Sequence, residues 1–169
     1  NVGGLGDSLN PLLSDDGRFL YFTSKANDLA PFDNERPGFD AERDVFLRDL
    51  WTGELRLVSA TISSANGLPA GAAGTGISNI RDITPDGRFA LFYSGSDCLV
   101  SNDSNGVGDF FVWDRTTGDI ELVTVALDGN SPQEGATWNM SATISDDGRF
   151  VAFGSAATDL VAGFADNNG

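Results

Sequence analysis

Short runs of alternating apolar and polar residues recur along this chain in a fixed order. Ser14-Asp15-Asp16-Gly17-Arg18-Phe19, Thr84-Pro85-Asp86-Gly87-Arg88-Phe89 and Ser145-Asp146-Asp147-Gly148-Arg149-Phe150 are three copies of one element. Each passes into an apolar run: Leu20-Tyr21-Phe22, Ala90-Leu91-Phe92 and Val151-Ala152-Phe153. A period of two predicts a strand that places Phe19 with Tyr21, and Phe89 with Leu91, on one face. Gly17, Gly87 and Gly148 mark the turn that enters it, because glycine tolerates the left-handed backbone of a tight hairpin or bulge. A short strand precedes each turn: Pro11 to Leu13, Ile80 to Ile83, and Ala142 to Ile144. Asp44-Val45-Phe46-Leu47-Arg48-Asp49 and Asp109-Phe110-Phe111-Val112-Trp113-Asp114 form a second repeated element. Each runs through a Thr-Gly pair into a closing strand, Leu55 to Ser59 or Ile120 to Thr124. No segment holds a helical period, and the helix-like composition of 70–74 is broken by glycines.

One unit is therefore a four-stranded antiparallel meander rich in aromatic and β-branched residues, as a pleated, half-buried surface prefers. The order Ser/Thr-x-Asp-Gly-Arg-Phe, apolar strand, Asp-x-Phe-x-x-Asp, Thr-Gly and closing strand resembles the β-propeller repeats of the TolB type, related in shape to WD-repeat blades. It is most similar to the variant found in large bacterial surface and secreted proteins. In that variant Asp-x-Asn-Gly precedes the third strand, as at Asp103 to Gly106 and Asp166 to Gly169. The resemblance implies an all-β fold and a place outside the bacterial cytoplasm: extracellular, at the cell surface or in the periplasm. The predicted arrangement is blade one over 7–62, blade two over 77–127 and half of a third blade over 138–169. Propellers have about four to eight blades. The expectation is an incomplete ring, a piece of a longer propeller, closed by further blades of the same or a neighbouring chain.

Composition narrows the partners. Twenty-five acidic residues against 10 basic ones give 169 residues a net charge of −15, which disfavours nucleic acid and anionic lipid surfaces. Hydrophobic residues at 40%, with 12 Phe, supply a core that a disordered acidic chain lacks. No apolar run is long enough to predict membrane insertion. Cys98 is the only cysteine, which rules out an intramolecular disulfide and suggests a small buried hydrophobe. Histidine is absent. A Ser-His-Asp or Cys-His arrangement cannot be built within the chain, and zinc loses its commonest ligand. Paired carboxylates remain as acid–base candidates, but none of the acids stands out, so no catalytic residue is assigned.

Two groups of residues carry candidate chemistry. Asp103, Asn105, Val107 and Asp109 alternate as do the oxygen donors in the front half of a calcium loop, the Val107 donor being its carbonyl, although the distal Glu of that motif is missing. Asp33 and Asp44 bracket the corresponding stretch of unit one, and Asp166 and Asn168 begin one in unit three. The alternative is that these Asp and Asn side chains cap their own loops through Asx turns. Among the aromatics, Trp113 shares a face with Phe111 and is expected between blades. Trp51 and Trp138 fall on loops, where an indole stacks on a sugar or anchors a protein partner. The long connections 66–76 and 128–137 lie on one rim, a common binding face. The leading expectation is a non-enzymatic binding or scaffold module for a protein or a glycan. The alternatives are a structural subunit of a surface assembly and the propeller portion of a hydrolase.

Overall fold

The computed structural model describes residues 6–26, 28–29, 43–61, 74, 76–137 and 139–162. They form ten strands: β1 (Ser8–Leu13), β2 (Phe19–Ser24), β3 (Asp44–Asp49), β4 (Leu55–Leu57), β5 (Ser78–Ile83), β6 (Phe89–Ser94), β7 (Asp109–Asp114), β8 (Ile120–Leu122), β9 (Ala142–Ile144) and β10 (Val151–Phe153). The described residues contain no helix, and so none long and apolar enough to cross a membrane. Two sheets are four-stranded meanders, β1-β2-β3-β4 and β5-β6-β7-β8, and β9 pairs with β10 in a third. Every pairing is antiparallel. The fold is thus all-β and built of propeller-type blades, with β5 lying between β1 and β9.

Strand alternation explains how the blades stack. β6 sends Ala90 and Phe92 to one side and Leu91 to the other; β7 sends Phe111 and Trp113 one way and Phe110 the other. The first set packs against Phe19, Tyr21, Val45 and Leu47 of the first blade. The second packs against Ile144, with Val151 and Phe153 at its margin. Burying each such side chain contributes about 1.5–3 kcal/mol, so the middle blade is held from both faces. Trp113 lies between blades as expected, edge-on to Tyr21 at 6.3 Å between ring centres, with the Arg56 guanidinium 4.9 Å from its own. Cys98 is buried.

Polar bonds fix the register between blades. The Tyr21 hydroxyl donates to the Gly87 carbonyl at 2.8 Å, and Arg115 Nε donates to the same oxygen at 3.0 Å. The Asp15 N–H reaches the Pro85 carbonyl at 2.8 Å, and Ile80 N–H donates to Thr23 Oγ1 at 3.1 Å. On the other side, Asp82 Oδ2 accepts from the Ile144 N–H at 3.0 Å and from the Thr143 hydroxyl.

Candidate functional site

Strand direction sorts the connections into two ends. In each meander the first and third strands run the same way. The turns 14–18, 50–54, 84–88 and 115–119 therefore lie at one end; β2, β4, β6 and β8 finish at the other, where β3, β5, β7 and β9 start. At this second end, where the inner strands β1, β5 and β9 begin, lies a cavity of about 580 Å³. Its described lining is Asn10, Arg43, Asn79, Arg81, Asn139, Met140, Ser141 and Ala142. Two of the chain's 10 cationic residues and three asparagines converge there.

A repeated irregularity of the inner strands builds this lining. In β5, Ile80 pairs with Phe92 and Asp82 with Leu91, leaving Arg81 as the extra residue of a bulge. In β1 the register slips at the same place in the repeat, between Leu9 and Leu12. Asn10 there has φ +53°, the only positive value outside glycine among the described residues. Asparagine accepts that conformation more readily than most residues, and a bulge re-aims the side chain it carries. Arg43 stands immediately before β3, and its carbonyl accepts from the Ser78 N–H at 2.6 Å, which ties it to the start of β5. Its Nε is a buried donor without an acceptor. The Arg81 guanidinium lies 5.8 Å from the Tyr93 ring centre. Burial lowers its pKa, and Tyr93 works in the opposite direction. Neither arginine, nor any of the three asparagines, was assigned to this binding surface from the sequence. The available signal was an arginine interrupting Ile80 to Ile83, at the place where Asn10-Pro11 interrupts the first copy.

The acidic loop leading into β7 is at the same end. Asn105 is its keystone: Nδ2 donates to Asp109 Oδ2 at 2.7 Å and to the Pro132 carbonyl at 2.8 Å, while Oδ1 accepts from Val107 N–H at 3.0 Å. Asp109 is fully buried, and its Oδ1 accepts from the Thr124 hydroxyl at 2.6 Å. Burial raises its pKa, and the bonds from Thr124 and Asn105 work against that. Val107 is exposed. Asp103 is only 4% exposed, and neither carboxylate oxygen has a hydrogen-bond partner. Burial pushes its pKa up to about 7, helped by the charges of Asp109 and Asp97. The Ser131 hydroxyl and Asn105 N–H, close but outside hydrogen-bond geometry, relieve part of this. Among the described residues no three Asp, Glu, Cys or His side chains are placed to hold a metal ion. The loop closes on itself through Asn105.

The other sequence candidates scatter. Asp44 is buried and accepts from the Ser59 hydroxyl at 2.8 Å, the counterpart of Asp109 with Thr124. Asp33, Trp138, Asp166 and Asn168 lie outside the described residues. Trp51 is 69% exposed but sits in the turn 50–54, at the end of the blades opposite the cavity. Arg18 covers it at 4.8 Å and pairs with Asp49 through Nε and Nη2 at 3.1 and 2.7 Å. Gly17, Gly87 and Gly148 take φ values of +71°, +62° and +72° in the hairpin turns.

Fold and cavity together define a set of propeller-type blades with a polar, cationic depression where the inner strands begin. No family model matches the chain, and no curated protein matches it significantly. Solved structures do. TolB from Acinetobacter baumannii is 17% identical, over 92% of this chain and 41% of that one, with a TM-score of 0.32. Hydrazine synthase from Kuenenia stuttgartiensis is 16% identical, over 84% of this chain and 35% of that one, with a TM-score of 0.39. The chain spans less than half the length of either, and neither likeness bears on what it binds.

Proposed function

We propose that this chain is a non-enzymatic recognition module of a bacterial extracellular or cell-envelope protein. It engages a protein partner at the end of the blades where the inner strands begin. The observation that carries this reading is the cavity between Arg43, Arg81 and the three asparagines, where β3, β5 and β9 start. Its groups suit binding better than turnover. Guanidinium stays charged and carboxamide stays neutral across the working pH range, so neither serves as a proton shuttle. The described acid with the most displaced titration near neutrality, Asp103, is buried beneath its own loop. Short turns dominate the opposite end, and rigid strands hold the cavity in place, as a preformed site requires.

Site-specific photo-crosslinking tests the reading. A crosslinker is placed at Asn139 on the cavity rim or at Thr52 on the opposite end, both exposed. Each variant is irradiated with a bacterial envelope fraction, and the adducts are identified by mass spectrometry. The expected result is one recurrent polypeptide adduct from position 139 and none from position 52. Equal adducts from both positions, or none from position 139, overturn it.

A further inference from the structure

We propose that this cavity binds the C-terminal carboxylate of a polypeptide whose last residues are net basic. The inference rests on the recognition-module reading and names the ligand chemistry of the same site. Arg43 and Arg81 present guanidinium groups, whose best complement is a carboxylate or a phosphate. Beside them stand the carboxamides of Asn10, Asn79 and Asn139. A carboxamide is the complement of a peptide group, since it offers one donor face and one acceptor face. A chain terminus brings a carboxylate and peptide groups side by side without having to thread chain through both ends of the cavity. About 580 Å³ lies within the range of roughly 300–1,000 Å³ typical of sites that enclose a small ligand. Capture of a terminal carboxylate is a recurrent mode of peptide recognition.

Charge chooses between the two anions. The chain carries −15 overall, and exposed Asp7 and Asp28 lie at the same end as the two arginines. A free phosphate dianion carries no positive charge of its own to set against that acidity. A monovalent carboxylate carried on a basic tail complements the guanidinium groups and brings positive charges of its own to an acidic chain. Arg81 owes its place to the bulge at Ile80/Asp82, and Arg43 owes its place to the bond from Ser78. Both sit on paired strands or at their entrances.

The test follows the arginine Nε–H resonances of the ¹⁵N-labelled full chain. It is titrated with the peptide Gly-Lys-Gly-Lys-Ala-Leu, once with a free C-terminus and once amidated. The free acid is expected to shift the Arg43 and Arg81 signals saturably, and amidation to weaken binding at least about tenfold, the loss of one charge-assisted contact of about 1.4 kcal/mol. Arg43→Gln and Arg81→Gln should each reduce the free acid to the level of the amide. Asn139→Asp, which sets a negative charge on the exposed cavity rim, should weaken the free acid more than the amide. Equal binding of acid and amide overturns the proposal, as does displacement of the peptide by equimolar inorganic phosphate or an absence of shifts at both arginines. In any of these cases position-139 crosslinks would still uphold the recognition-module reading. Loss of those crosslinks with carboxylate-specific shifts intact would overturn that reading and leave this site standing.

Discussion

Gly87 carries two constraints where Gly17 carries one. Both sit at positive φ, but a Cβ at Gly17 would enter open space, whereas at Gly87 it would meet Phe19 Cβ at 3.0 Å and Ser14 Cβ at 3.1 Å. Left-handed backbone costs an alanine about 1–2 kcal/mol, and forcing atoms into a packed seam adds about 1–3. Gly87→Ala is therefore expected to lower stability by about 2–4 kcal/mol and Gly17→Ala by about 1–2, as read by urea denaturation; equal losses would show that the seam gives way freely. Asp103 makes a different prediction. Its carboxyl is held at about 7, first by burial and then by Asp109 and Asp97, against about 4 in an unfolded chain. Between those values the unfolded chain has released a proton that the folded chain keeps. Stability from this group is therefore lost as pH rises from about 4 to about 7 and is level above that. Asp103→Asn keeps the shape and removes the charge. It should melt like the parent at pH 4 and be more stable at pH 8, by on the order of 1–3 kcal/mol. A gain for the parent with added calcium at pH 8, abolished by the same substitution, would instead assign those two oxygens to a cation.

At the scale of strands and turns, the seam between the first two blades is closely specified. Two donors converge on the Gly87 carbonyl, the Tyr21 hydroxyl and Arg115 Nε, and the Arg115 guanidinium also lies 3.8 Å from the Phe19 ring centre. Tyr21→Phe should cost about 1 kcal/mol, since Arg115 still satisfies the oxygen. Arg115→Ala should cost about 1–2, through the lost stacking as well as the bond. Together they leave a buried carbonyl without a donor, so the double substitution should exceed the sum by about 0.5–2 kcal/mol. A strictly additive denaturation cycle would sever that link. The same elements show what the sequence made legible. β2, β3, β6 and β7 follow unbroken runs of period two, and their apolar faces could be assigned residue by residue. β1 and β5 begin earlier than Pro11 and Ile80. The bulge breaks the alternation there, and what extends the pairing is polar: Ser8 against Ser24, Ser78 against Ser94. β4 and β8 stop short of Ser59 and Thr124. There the hydroxyl takes over the ladder, accepting from Val45 or Phe110 N–H and donating to Asp44 or Asp109. The cavity was illegible for a related reason. A bulged arginine reads as a fault in a hydrophobic run until the register shows it as the extra residue between two paired ones.

Across the whole molecule, the third sheet differs from the other two in what its outer side faces. In the first two blades the arginine of the Asp-Gly-Arg-Phe turn pairs with the last aspartate of the third strand, Arg18 with Asp49 at 2.7 Å and Arg88 with Asp114 at 2.8 Å. The phenylalanine that follows lies opposite that aspartate in register, Phe19 to Asp49 and Phe89 to Asp114. In the third sheet Arg149 is 73% exposed and reaches only its own turn, Asp147, at 4.0 Å, and Phe150 is 65% exposed. Among the described residues β10 pairs with β9 alone. An open strand edge beside an exposed aromatic is a template for pairing with another chain. The 169-residue chain is therefore expected to self-associate with rising concentration. Each copy carries −15, so repulsion between copies opposes this contact, and raising salt from about 0.15 to about 1 M, which shortens the screening length from about 8 to about 3 Å, should strengthen it. Phe150→Ser removes the exposed ring and Ala152→Lys places a charge on the edge strand. Each should return the average mass in sedimentation equilibrium toward the monomer without lowering the melting temperature, since neither side chain is buried. A monomer at every concentration, or association indifferent to both substitutions, would show that the edge is covered in solution by the chain's own residues. The reading of these blades as awaiting neighbours would then fall, while the cavity at the start of the inner strands, which needs only β1, β3, β5 and the approach to β9, would be untouched.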